Sequence, residues 1–159
     1  MGILCLVAVF LWGQLAAPAP AWLQTLAQDP DQVFIQARHS LKDDQNMTWQ
    51  VICFARREQV ELRLVGFPDR YHFQPDQPLL LQPSPGESWR AAADFPKADS
   101  VPNVGQFDLS PLVERLPTGQ PLTLTLPLVE GQRRILIPAP VTLEWHEVIR
   151  QARRLAAGD

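Results

Sequence analysis

Residues 60–68 read Val60-Glu61-Leu62-Arg63-Leu64-Val65-Gly66-Phe67-Pro68. Val60, Leu62 and Leu64 point one way and Glu61 and Arg63 the other, the period-two repeat of a strand with one face in a core, and Gly66-Phe67-Pro68 ends it. The same rhythm extends in both directions. Upstream, Val33, Ile35 and Ala37 alternate with Phe34, Gln36 and Arg38, and the tract 42–46 is polar enough for a hairpin loop. The return strand, Thr48 to Ala55, carries Trp49, Val51 and Cys53 on one face and Ile52 and Phe54 on the other, so it is expected at the centre of the sheet. Three such strands make a meander.

Downstream, Leu79-Leu80-Leu81 is a short strand between proline-marked loops, and Leu122, Leu124, Leu126 and Leu128 alternate with Thr123, Thr125 and Pro127. Gly131 separates that run from Ile135-Leu136-Ile137, a second hairpin, in which Pro127 demands an edge or a bulge. Residues 88–100 show no clear period. Ser110-Pro111 is an N-cap and first-turn pair opening a short helix through Leu116. Beyond Pro140, Val141, Trp145, Val148, Ile149 and Ala152 recur at helical spacing, with Glu144 and Glu147 early and Arg150, Arg153 and Arg154 late, as the helix dipole favours. The expected fold is therefore mainly β: an antiparallel sandwich or partly open barrel of roughly six to seven strands. It carries a short mid-chain helix, and a C-terminal amphipathic helix covers one opening or face.

Composition agrees. Of 159 residues, 46% are hydrophobic and 19% charged, the balance of a packed domain rather than a disordered chain. Sixteen prolines exclude an all-helical bundle. A net charge of −3 argues against nucleic acid as a partner.

The N-terminus reads as an export signal. Ile3 to Trp12 is uncharged and apolar, and Leu15 to Ala21 is small and broken by Pro18 and Pro20. Cleavage after Ala21 is expected, which assigns 1–21 to the signal, 22–32 to an N-terminal linker and 33–157 to one β-rich domain. A retained membrane anchor is the alternative. Loss of Cys5 with the signal would leave Cys53 without an intramolecular disulfide partner, and its apolar neighbours mark it as a core residue.

Reactive constellations are not legible. No glycine-rich phosphate loop, Gly-x-Ser-x-Gly elbow or paired metal-spaced cysteines occur. His146-Glu147 is followed by Arg150 where a zinc-protease helix needs its second histidine, so no metal site and no cofactor are expected. Binding residues are expected instead. Asn103, Gln106 and Asp108 place polar groups on one loop beside Trp145, while Pro102 to Gln106 forms a tight turn that uses Asn103 and Gly105 at positive φ. Trp49, Trp89 and Trp145 are the candidates to line a pocket for an apolar ligand, with simple core filling as the rival reading. Arg150, Arg153 and Arg154 are candidates for peripheral membrane contact.

Taken in order, Ser40-Leu41, Thr48-Trp49-Gln50-Val51, residues 62–68, Pro102-Asn103-Val104-Gly105-Gln106-Phe107-Asp108-Leu109, Leu126-Pro127-Leu128 and Glu144-Trp145 resemble a family of small exported cyanobacterial proteins known only as a domain of unknown function (DUF3122-like). Gln74 stands near a position where that pattern has histidine. The resemblance implies export to the thylakoid lumen or periplasm and transfers no catalytic residue. The function expected is a non-enzymatic binding or assembly module at a membrane complex, with a membrane-protein complex or another exported protein as partner. A small apolar-ligand carrier is the first alternative and a hydrolase with a carboxylate pair the second.

Overall fold

The computed structural model describes residues 23–27, 33–95 and 101–158. The expected signal segment lies outside them. The described residues hold β1 (Leu23–Ala27), β2 (Val33–Lys42), β3 (Thr48–Arg56), β4 (Gln59–Val65), β5 (Leu79–Gln82), β6 (Trp89–Ala93), β7 (Val104–Asp108), a 3₁₀ helix (Ser110–Arg115), β8 (Leu122–Leu126), β9 (Arg133–Ile137) and α1 (Ala139–Ala157). Every strand pairing is antiparallel, in the order β1-β2-β3-β4-β7-β6-β5-β8-β9.

Eight of these strands wrap into a nearly closed barrel, because Asp43 at the end of β2 bridges Ile135 of β9 and its neighbour Asp44 donates to Arg134 O at 2.9 Å. β1 lies outside that ring, paired to the first half of β2. The expectation of a barrel with a terminal helix holds, with more strands than the six or seven expected. The additional strands sit where alternation is hardest to read. β1 falls in the stretch assigned to the linker, β6 is the alanine-rich Trp-Arg-Ala-Ala-Ala, and β7 occupies what was expected to be a turn.

The alternation in 60–64 does what it predicts. Val60, Leu62 and Leu64 are buried inside, with Glu61 and Arg63 outside. Paired residues share a face, so Trp49, Val51, Cys53 and Ala55 of β3, Phe107 of β7, Leu79 and Leu81 of β5, and Leu122, Leu124 and Leu126 of β8 fill one interior. Two long connections cross the ends. Residues 66–78 carry Tyr71 and Phe73 over the end near the β2–β3 turn, and residues 109–121 carry Leu109, Leu112, Val113 and Leu116 over the other. α1 packs on β2 and β3 at that second end, where the inward side chains Ala37, Cys53 and Ala55 are small.

Local readings are corrected in three places. Asn103 and Gly105 both have negative φ, the positive values belonging to Asn46, Arg57, Asp69 and four glycines of other turns. Gly105 is needed for space instead: a Cβ there would lie 2.7 Å from the Phe73 ring, and one on Gly66 would lie 2.6 Å from the Trp49 ring. Ser110 is the first residue of its helix rather than the cap, its amide bonding Asp108 Oδ1 at 2.8 Å and its hydroxyl accepting from Val60 N at 3.0 Å. β8 stops at Leu126, so Pro127 lies beyond the ladder and Leu128 bridges Phe73.

Candidate functional site

Outward positions on neighbouring strands bring Glu61, Arg63 and Gln106 together. Gln106 Oε1 accepts from Arg63 Nε and Nη2 at 3.1 and 2.7 Å, and Gln106 Nε2 donates to Glu61 Oε2 at 2.8 Å. The guanidinium also stacks 4.9 Å from the Phe54 ring centre. Burial and the nearby carboxylates of Asp94 and Asp108 hold the Glu61 carboxyl above its ordinary value, against the pull of Arg63. Arg63 and Glu61 thus satisfy the Gln106 side chain, so it anchors the barrel wall. Asp108 is occupied at the start of the 3₁₀ helix, and Asn103 is buried with its side-chain amide on Gly66 O at 2.8 Å.

The three tryptophans do not converge on one pocket. Trp49 is in the interior near the β2–β3 turn, 4.8 Å from Tyr71 and 5.9 Å from Phe73 between ring centres. Trp89 lies toward the opposite end, bonded to Glu87 Oε1 at 2.9 Å and covered by Arg115 at 4.7 Å. Trp145 on α1 is 1% exposed, and its indole N–H has no hydrogen-bond partner. Phe107 packs edge-to-face on both Phe73 and Phe95, and Tyr71 stacks on Trp49, in the space a carried ligand would need.

Open space is found at the helical end. A groove of about 1210 Å³ runs between α1 and the segment 113–118, lined among others by Leu143, His146, Arg154, Glu114 and Thr118. Its walls are fixed by polar ties. Thr142 donates to Gln120 O at 2.8 Å, and His146 Nε2 lies 3.0 Å from Thr118 Oγ1 and 3.1 Å from Leu116 O. Arg153 bonds Glu114 at 3.0 Å and pairs with Glu58 at 3.4 Å, while Arg150 pairs with Glu147. Arg154 has no such carboxylate partner among the described residues and remains the unneutralised cation of the groove. Leu143 stands 55% exposed on its rim. The groove therefore offers an apolar contact flanked by one free positive charge and hydrogen-bonding groups. The arginines are legible in the sequence but Leu143, Glu114 and Thr118 are not, since the two walls lie about 39 residues apart in the chain.

On the inner side of α1, Glu144 Oε2 lies 2.7 Å from His39 Nε2 on β2, an ion-pair contact invisible to local patterning. Among the described residues no group of three or more His, Cys, Asp or Glu is placed to hold a metal ion, and no helix is long and apolar enough to cross a membrane.

A family model described as "Protein of unknown function (DUF3122)" matches residues 21–148. No curated protein and no solved structure matches the chain.

Proposed function

We propose that this chain, which belongs to the DUF3122 family of proteins of unknown function, is an exported, non-enzymatic binding or assembly module that works at the lumenal or periplasmic face of a photosynthetic membrane. The observation that carries the reading is the contrast between a barrel interior packed with side chains and an open groove along α1. Chemistry on a small molecule uses an enclosed, pre-organised recess with a few converging polar groups, whereas protein docking uses an apolar anchor point with a polar rim. Leu143 supplies the anchor, and Arg154, Glu114 and Thr118 supply the rim. The partner is a segment of another exported or membrane protein that presents an apolar side chain beside a carboxylate. The uncharged run Ile3–Trp12 supports export.

The test compares capture from host membranes by the tagged protein and by Leu143→Asp and Arg154→Glu variants, with Leu136→Asp on the barrel wall as the control. The reading expects a stoichiometric partner that is lost with the groove variants and kept with the control. Recovery of free protein alone, or equal capture by all variants, contradicts it.

A further inference from the structure

The outer wall of the barrel holds a second opening, which shares no residue with the α1 groove. Strand register builds its floor. Leu80 of β5 pairs with Arg90 of β6 on one side and Thr125 of β8 on the other, and the residues flanking each of them face the core, so the three outward side chains form one row. Gln74 and Gln77 of the connection before β5, with Gln132 ahead of β9, complete a recess of about 260 Å³ on that row. Such a volume equals the share of roughly nine water molecules. It admits a small molecule and no helix or strand of a partner.

The lining is one-sided in charge. Arg90 is its only charged residue; no carboxylate, histidine or cysteine lines it, and Asp76 in the same connection stays outside. Other guanidinium groups are occupied: Arg134, next to Thr125 in the row, pairs with Asp44 at 3.3 Å, while Arg63 and Arg115 stack on Phe54 and Trp89. Arg90 has neither a carboxylate nor a ring among the described residues.

The neutral groups are set in advance. Gln74 N donates to Pro127 O at 2.9 Å, Gln74 Nε2 to Leu128 O at 2.9 Å and Gln77 N to Gln74 O at 3.2 Å. These bonds fix the connection, yet Gln74 Oε1 and the side-chain amides of Gln77 and Gln132 have no partner among the described residues. Thr125 is 7% exposed, and its hydroxyl donates to Gln82 Oε1 at 3.5 Å, which leaves its lone pairs for a donor.

We propose that this recess binds a small hydroxycarboxylate of the sugar-acid class. The planar fork of Arg90 takes the carboxylate, and the three glutamine amides and the Thr125 hydroxyl take the hydroxyl groups of a neutral body. A single cation balances one negative charge, which a phosphate monoester at neutral pH exceeds. An amino acid is refused for the opposite reason, since no carboxylate is there to receive its ammonium group. The lining offers no general base to activate a nucleophile, so the ligand is held and not transformed. This site goes beyond the α1 groove and stands without it.

Titration of the full chain with glucuronate, followed by amide chemical shifts, tests the proposal, with glucose and glucosamine as neutral and cationic counterparts. The expected result is a saturable shift confined to the residues around 74–78, 90, 125–127 and 132. Both counterparts, and glucuronate with Arg90→Gln, are expected to bind at least about tenfold more weakly. Gln77→Ala and Gln132→Ala are each expected to weaken glucuronate about threefold, a loss that charge attraction alone does not produce. Arg38→Gln, which removes an exposed guanidinium from another wall, is expected to bind as the unsubstituted chain does. No saturable shift up to about 50 mM glucuronate overturns the proposal. So do equal binding of glucose, full binding by Arg90→Gln or by both glutamine variants, equal losses in Arg90→Gln and Arg38→Gln, or shifts centred on α1.

Discussion

The indole N–H of Trp49 donates to Asp43 Oδ2 at 3.0 Å, in a site where the Asp43 side chain is fully buried. The other carboxylate oxygen accepts the amides of Gln45 and Met47, each at 2.9 Å. Asp43 also makes the backbone bridge to Ile135 that draws β9 against β2. One side chain therefore shapes the β2–β3 hairpin, orients the largest interior ring and sits at the seam of the barrel. A buried carboxylate is tolerable only because charge-assisted bonds replace its water.

Asp43→Ala orphans a buried indole donor, which costs about 1–3 kcal/mol, and removes the acceptor of two part-buried backbone amides that hold the hairpin. The expected loss of unfolding free energy is about 3 kcal/mol, measured by denaturant titration with the slope unchanged. Asp43→Asn keeps one carbonyl acceptor and is expected to lose less. Equal stability of the alanine variant and the unsubstituted protein would refute the role assigned to this side chain.

Gly66→Ala and Gly105→Ala drive a methyl into the rings of Trp49 and Phe73, at 2.6 and 2.7 Å. Both rings are locked among other aromatic side chains, so the surroundings cannot yield cheaply, and overpacking of this kind costs about 1–3 kcal/mol. Gly119→Ala, a surface turn at positive φ with open space around it, loses only its backbone allowance. Thermal melts should rank the two interior variants below it.

Glu61 has a carboxyl raised by burial and by the charges of Asp94 and Asp108. Its folded value lies above its unfolded one, so the unfolded chain releases the proton more readily. Stability attributable to this group falls as pH rises from the ordinary glutamate value of 4.5 through the folded value, and the penalty persists at neutral pH. Glu61→Gln keeps an acceptor for the Gln106 amide and removes the charge. Stability at pH 7 is expected to rise slightly and its decline above the 4.5 region to flatten. Urea titrations across that range check both.

Cys53 is buried, and burial pushes its thiol up to about 12. At neutral pH it stays a protonated core side chain, and the thiolate that alkylating reagents need is scarce. Mass spectrometry after iodoacetamide treatment should find residue 53 unmodified in the native protein and modified after addition of denaturant. Rapid native labelling would mean that β3 is exposed to solvent.

How far the fold was legible followed the physical signal. Val60-Glu61-Leu62-Arg63-Leu64 and the Leu122–Leu126 run each bury one face, so their period appears in the sequence. β6 and β7 carry small residues, Ala91 and Gly105, at inward positions, because large rings from elsewhere occupy that volume. Alternation fades where the partner across the core is big. α1 was readable from its spacing, but the groove beside it was not, since its opposite wall comes from the 3₁₀ helix and the following loop. Asn103, Gln106 and Asp108 read as binding residues from their polar groups, and each finds its partner within the fold itself. Asp43 was overlooked because an acid in a polar hairpin reads as solvent-facing, and only the arrival of Trp49 six residues later makes it a buried acceptor.

Binding through the α1 groove is tested most directly by placing a photo-crosslinking side chain at position 143 and irradiating the protein in host membranes, with position 136 as the control. The account predicts one discrete adduct from position 143 to an exported or membrane-protein segment, abolished by Arg154→Glu, and none from position 136. No adduct at 143, or the same adducts from both positions, would contradict it.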